Sequence, residues 1–442
     1  MIRASGCRRR QHAWQAPVGL AGASMTLLAL VAVISVPVAK ADDPDAELNA
    51  LMMGGTGMPV PSSEWMDSII NDYIDPATGA DYTAQVVPTP ANLPVDLSVQ
   101  NGLADLQTAM ATQQLADPGA PYVIEGYSMS ALIAVDEEEQ LASMTAAGQS
   151  VPDVTVALFG SGNRPNGGIY ERLDGLYVPG AGVDANGAEP TDLGIPTIDV
   201  ADQYDGLADV PQYPANLVAD LNDLLGIIYV HTSYGDGAVP GLFPDSTPLT
   251  GPFTDDYALG STEIVKQVTG DATFYLIPTQ TLPLLDPLLD LGVPQSVLNI
   301  VQPALQVIVE AGYDRSIPFG DPTPFELIPT LDPVTFTLEF GNGVVEGADN
   351  AFELFGAQLP GAAELESALA SAETWSEQAI GVPYDQVVSE LNNAFNPFTD
   401  LIDLERPIGE AIEDVLMATG VQQDLLDPIL GLIGPLGESF TG

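Results

Sequence analysis

Between Glu47 and His231 the chain switches repeatedly from short β-forming runs to helical periodicity. That alternation constrains the fold more than any other feature. A strand followed by a helix returns to a neighbouring strand in the same direction, so the sheet is mostly parallel and helices cover both faces. "ELNALMMGGTG" (Glu47 to Gly57) reads as a buried strand ending in a glycine turn. "SSEWMDSIINDYI" and "NGLADLQTAMATQQLA" read as helices, and Pro88 to Pro94 as a loop. "PYVIEG" is a second strand, "SMSALIAVDEEEQLASM" a third helix and "DVTVALFGSG" a third strand. "IPTIDVADQ" (Ile195 to Gln203) is a fourth. A helix after Pro214 places Leu217, Leu221, Leu224 and Leu225 inward and ends at Gly226. "IIYVH" then reads as a fifth strand. The expected fold class is α/β, a doubly wound and mostly parallel sheet. Such sheets bind ligands at the carboxyl ends of their strands. "GGTG", "GYSMS", "YDGLAD" and "HTSY" each follow an expected strand.

The two ends read differently. Arg3, Arg8, Arg9 and Arg10 precede an apolar run from Pro17 to Val38, and Ala39-Lys40-Ala41 is a small-x-small cleavage pattern. Residues 1–41 therefore have the layout of an export signal, with an uncleaved membrane anchor as the alternative. The arginines lack the rest of a twin-arginine pattern, which favours the general secretory route. The expected destination is secretion or the cell envelope. Past about residue 270 the chain becomes apolar, Pro-punctuated and helical, and from about Thr335 small residues and amphipathic helices dominate. Residues 42–334 are expected to form the catalytic domain and 335–442 a helical C-terminal extension.

Composition then excludes several functions. The only cysteine, Cys7, lies in the signal, so residues 42–442 hold no disulfide and no thiol chemistry. They carry five basic residues against all 61 acids, a net charge of −56. Nucleic acid is not an expected partner, because phosphate binding needs cations. Attachment to an anionic membrane face is disfavoured for the same reason. The acids show no calcium-loop spacing, and Glu137-Glu138-Glu139 is their densest run. No metal or cofactor is expected. The two histidines are His12, in the signal, and His231. A multi-histidine metal site is thereby excluded, and any imidazole base must be His231.

"GYSMS" gains weight from its surroundings. A serine nucleophile on a strained strand-to-helix turn needs small neighbours two positions to either side, and Gly126 and Ser130 supply them around Ser128. The Met129 amide is the first expected oxyanion donor, and the second is expected from the Gly55 and Thr56 region of the GGTG loop. A plain tight turn is the alternative for that loop. Serine needs a base, and the base an orienting acid, in the chain order Ser, Asp or Glu, His. His231 fits the base. Asp209 is the preferred acid because an apolar pair follows it, with Asp205 as rival, since Tyr204-Asp205-Gly206 looks like a turn whose aspartate caps local amides. Glu125 is expected in solvent at a sheet edge or paired with Arg164 or Arg172.

These segments also carry a family resemblance. "GGTGMPVPSSEWM", "GYSMSA", "GNRPNGGIYER", "QYDGLADVPQYPANLVADLN" with "GIIYVH", and "YLIPTQTLPLLDPL" through "VEAGYDR" resemble, in colinear order over about residues 48–330, the PE-PPE domain. This is the cutinase- and lipase-like serine α/β-hydrolase domain of mycobacteria. The resemblance implies an esterase acting on acyl esters or lipids through a Ser-His-Asp triad. Ser128 and His231 match directly, and the acid falls in "YDGLAD". Similar members with an export or anchor segment are acyltransferases that move fatty acyl groups between trehalose glycolipids of the cell envelope. A non-catalytic envelope-interaction protein is a third reading. The sequence is expected to be a secreted member without the helical N-terminal PE or PPE domain. Met129 and Ser130 depart from the common Gln and the lipase-type Gly.

Overall fold

The computed structural model describes residues 48–235, 247–327, 329, 332–356 and 392. The expected signal and most of the expected C-terminal extension lie outside the described residues.

The β-forming runs assemble into one eight-stranded sheet. Its strands are β1 (Leu48–Met53), β2 (Tyr82–Val86), β3 (Tyr122–Tyr127), β4 (Val154–Phe159), β7 (Thr197–Asp202), β8 (Phe253–Thr254), β9 (Ile264–Thr269) and β10 (Ala272–Ile277). A separate small hairpin joins β5 (Tyr177–Val178) to β6 (Val183–Asp184). The strand order is β2-β1-β3-β4-β7-β10-β9-β8. Pairing is parallel from β2 through β10, and β9 runs antiparallel to β10. The fold is thus the expected α/β class with a mostly parallel sheet.

Helices cover both faces. On one face lie α3 (Val95–Ala116) and α4 (Met129–Ala146). Their Leu106, Met110, Leu132 and Val135 pack on Leu51, Ile124, Val156 and Leu158. On the other lies α1 (Ser63–Ile69), continued by a π-helical turn and the short α2 (Asp75–Thr78). Trp65, Ile69 and Tyr73 there meet Met52, Val123, Phe159 and Val200. Side chains of alternate strand residues thus fill two cores, one per face, as the pleat requires. Beyond β4 come the single-turn α5 (Ile169–Arg172) and α6 (Leu217–Tyr229). Then follow α7 (Asp286–Asp290), α8 (Gln295–Leu298), α9 (Gln302–Glu310) and α10 (Pro333–Glu353).

Three readings of the chain are corrected. "IIYVH" is not a strand; its first three residues form the last turn of α6. The α6 face is also inverted. Leu217, Leu221 and Leu224 are 75%, 48% and 58% exposed, whereas Ala219, Asn222 and Gly226 are buried. Gly226 does not end the helix; a Cβ there would lie 1.9 Å from the Tyr204 carbonyl oxygen. The helix docks through its small residues because the backbone it meets is that close. Among the described residues the parallel strand added beside β7 is instead β10, paired with β9 across the Gly270-Asp271 turn.

Glu137 and Glu138, from the densest acidic run, are buried on α4. Burial, then the nearby Glu189 charge, push the Glu138 carboxyl up to about 8. Burial pushes Glu189 up to about 7. Unfolded glutamate titrates near about 4.3. Above that value the folded chain holds more protons than the unfolded chain, so this stability is lost as pH rises through 7 and 8. The expected result in calorimetry is a higher Tm at about pH 5 than at about pH 8, with Glu138→Gln shrinking the difference. A pH dependence unchanged in that variant contradicts the assignment.

Candidate active site

The parallel strands present their carboxyl ends at one edge. The chain leaves β1 for β2 on one side and returns to β3 on the other, so the sheet order switches between β1 and β3. Ligands bind α/β sheets at such a point. Ser128 stands there, between the end of β3 and the first residue of α4. Its backbone is at φ 56°, ψ −118°, a conformation that a non-glycine residue keeps only under constraint. The Ser128 N–H donates to the Phe159 carbonyl at 2.9 Å, and the Tyr127 N–H donates to Ser130 Oγ at 2.8 Å. Met129 opens α4, where first-turn amides lack helical partners.

His231 Nε2 lies 2.8 Å from Ser128 Oγ. Its Nδ1 lies 2.8 and 2.9 Å from the two Asp205 oxygens. With Nδ1–H donating to the carboxylate, Nε2 is left to accept a hydrogen bond from the Ser128 hydroxyl. Asp205 Oδ1 also accepts from the Leu207 N–H at 2.8 Å, and Oδ2 from the Tyr234 hydroxyl at 2.8 Å. Burial raises the Asp205 carboxyl, but His231 and these donors together outweigh it and hold it below the ordinary range. It therefore stays ionised at neutral pH. The His231 ring stacks on Tyr127 at 5.4 Å, and Tyr127 donates its hydroxyl to the His231 carbonyl at 2.6 Å. The His231 N–H in turn donates to the Gly226 carbonyl at 2.8 Å, fixing the imidazole just past α6.

The preference for Asp209 is corrected. Asp209 accepts from Arg315 Nη1 at 2.5 Å and Nη2 at 2.9 Å, and from the Tyr204 N–H at 2.8 Å. Arg315 also holds Glu310 at 2.9 Å. A cation 106 residues further along the chain thus claims Asp209 and leaves Asp205 to face the histidine. Asp205 does cap local amides, as its turn suggested, yet a carboxylate has lone pairs for both tasks.

Of the expected oxyanion loop, Gly55 is buried and Thr56 exposed. A Cβ at Gly55 would lie 2.9 Å from Ser128 Cβ and 3.0 Å from the Tyr127 ring, so the loop backbone lies directly against the serine. Its turn is fixed by Met58 N–H to Gly55 O at 2.9 Å and Gly57 N–H to Ala91 O at 2.8 Å. Tyr234 and Tyr127 escape sequence reasoning; their one signal is closeness to His231 and Ser128 in the chain. Glu125 is neither in solvent nor paired with an arginine. It is fully buried, while Arg164 pairs with Asp199 and Arg172 holds the Val210 and Thr323 carbonyls.

Residues 76–314 match the PE-PPE domain, more than half of the chain. The chain belongs to this family. Its relatives in the family include Esterase PE16 of Mycobacterium tuberculosis, 37% identical over 305 residues, with 67% of this chain and 54% of that protein covered. PE family protein PE3 of the same organism is 35% identical over 320 residues, covering 70% of this chain and 64% of PE3. The chain thus spans between half and two thirds of these two relatives. Diacyltrehalose acyltransferase Chp2, also of M. tuberculosis, is 27% identical, with 67% of this chain and 82% of Chp2 covered. The family membership joins this chain to proteins named as esterases and acyltransferases.

The Asp209–Arg315 pair is a stability element, since both groups are largely buried. Asp209→Ala leaves the guanidinium beside Glu310 alone and is expected to cost about 3 kcal/mol in urea unfolding. A loss under about 1 kcal/mol, the range of an exposed pair, contradicts this role.

Proposed function

We propose that this chain is an exported serine esterase of acyl esters. The observation that carries the reading is the hydrogen-bonded series Ser128 Oγ, His231 Nε2 and Asp205, each step 2.8 Å, at the switch point of the sheet. Ser128 Oγ attacks the ester carbonyl while His231 Nε2 takes its proton. Asp205 holds the Nδ1–H and stabilises the imidazolium. The carbonyl oxygen gains charge next to the Met129 amide and the Gly55 loop. The C–O bond to the alcohol breaks, His231 protonates the leaving oxygen, and an acyl-Ser128 ester remains. His231 then deprotonates the acceptor that releases the acyl group.

Water as acceptor makes an esterase. A sugar hydroxyl makes an acyltransferase, and the likeness to Chp2 over most of that protein favours testing this second reading. The substrate is then a lipid or cell-envelope glycolipid. The N-terminal pattern of residues 1–41 supports export by the general secretory route, and residues 42–334 form the catalytic domain.

A fluorophosphonate probe is expected to label the wild type and not Ser128→Ala. Labelling of both, or of neither, overturns the nucleophile. On a p-nitrophenyl ester, Asp205→Asn is expected to lower kcat by about 10⁴, as loss of the orienting acid does. Asp209→Asn is expected to retain far more activity. The reverse ranking overturns the assignment of the acid. Mass spectrometry of products made with and without trehalose distinguishes the two acceptors.

A further inference from the structure

Met53 is the last residue of β1 and leads directly into Gly54 and Gly55. Its two main-chain polar groups are both taken by side chains. The Met53 N–H donates to Glu125 Oε2 at 3.0 Å. The Met53 carbonyl lies 3.1 Å from Ser130 Oγ and shares its one hydroxyl proton with the Tyr127 carbonyl at 3.0 Å. Glu125 precedes Ser128 by three residues and Ser130 follows it by two. Pairing with β2 stops one residue short, at Met52 opposite Val86. We infer that Glu125 and Ser130 are positioning residues that clamp the oxyanion loop to the nucleophile turn. The inference rests on the oxyanion role given above to the Gly55 loop.

The geometry explains how such a clamp works. A peptide unit is planar, so the Met53 carbonyl and the Gly54 N–H share one plane. Holding that carbonyl on Ser130 fixes where the Gly54 amide points and where the chain enters Gly55. Holding the Met53 N–H on Glu125 fixes the plane before it. Ser130 Oγ also receives the Tyr127 N–H at 2.8 Å, so one hydroxyl sets the loop and the turn together. This accounts for Ser130 at a position where glycine would serve sterically. It also accounts for a fully buried acid in the middle of the sheet. Burial pushes the Glu125 carboxyl well above the ordinary range. Its second oxygen, Oε1, has no hydrogen-bond partner among the described residues. What it supplies to Met53 is an acceptor. An aliphatic side chain would fill the space and leave the Met53 amide unpaired.

The test compares Glu125→Leu, Glu125→Gln and Ser130→Ala with wild type, using p-nitrophenyl butyrate turnover and inhibition by an alkyl boronic acid. The boronate forms a tetrahedral adduct whose oxygen occupies the oxyanion position. Displacement of donors by a fraction of an ångström to an ångström costs up to about 10²-fold. Glu125→Leu is expected to lower kcat by about 30- to 100-fold, with KM within about threefold and boronate affinity weakened in proportion to kcat. Glu125→Gln keeps the acceptor and is expected to recover most of the loss. Ser130→Ala, which barely changes core volume, is expected to show the same split between kcat and KM, and it carries the test if Glu125→Leu does not fold. Wild-type kcat in Ser130→Ala or in folded Glu125→Leu overturns the clamp, as does a Gln variant no better than Leu. A wild type without Ser128-dependent turnover overturns the proposed function itself and the clamp with it.

Discussion

Ser128 is held where a side-chain-bearing residue does not rest unaided. A φ of 56° costs on the order of 1–3 kcal/mol and persists only if the surroundings over-determine it. Four constraints do so here. The Ser128 N–H is tied to β4 through Phe159. The residue before it is tied to Ser130 Oγ. The residue after it is already in α4. Gly126 permits the return of the chain, since a Cβ there would lie 2.5 Å from the Ser130 carbonyl oxygen. Every other part of the site is referenced to this turn. His231 reaches Oγ only because α6 docks against the Tyr204 backbone, and Asp205 reaches His231 from that same backbone segment.

The electrostatic design follows from the scarcity of cations. Among the described residues Arg164 and Arg172 are fully buried and Arg315 largely so. Each is spent on structure: Arg164 on Asp199, Phe274 and Phe319, Arg172 on backbone carbonyls, and Arg315 on Asp209 and Glu310. The acids inside the fold then divide. Asp199 and Asp209 are paired with arginine, whereas Glu125, Glu138 and Glu189 are pushed up toward their neutral forms. Asp205 belongs to neither group. It stays ionised through neutral donors and a histidine, the state an orienting acid needs. With its arginines turned inward, the described surface is left anionic. That field repels anionic headgroups and leaves neutral esters and sugars unopposed.

Much of this was legible in the chain. The strand, small-residue turn and helix around Ser128 appear in order in the sequence. His231 stood out because no other histidine follows the N-terminal segment. What was not legible depends on distant contacts. Asp205 and Asp209 lie four residues apart in one loop, and only the approach of Arg315 from far along the chain separates their tasks. The leucines of α6 suggested a buried face. A face of Ala219, Asn222 and Gly226 won instead, because the Tyr204 carbonyl comes too close for larger side chains. A carboxyl at the end of a strand reads as an edge residue. Nothing in the sequence shows that β1 sits beside Glu125 with an amide to satisfy.

In the proposed reaction Ser128, His231 and Asp205 govern formation of an acyl-enzyme, and that step is common to hydrolysis and transfer. The second step depends on which hydroxyl stands in line with the acyl carbonyl and His231. Water needs no binding site, being present at high concentration. A sugar must gain by orientation what it lacks in concentration, and well-placed reactants gain the equivalent of many molar. The groups able to orient an acceptor are those around the carboxyl edge, from the loop after β1 to the residues beyond α6, and not the triad. Divergence from esterase to acyltransferase within this family therefore needs no change at the serine, histidine or aspartate. It needs only loops that hold an alcohol in place and keep water out.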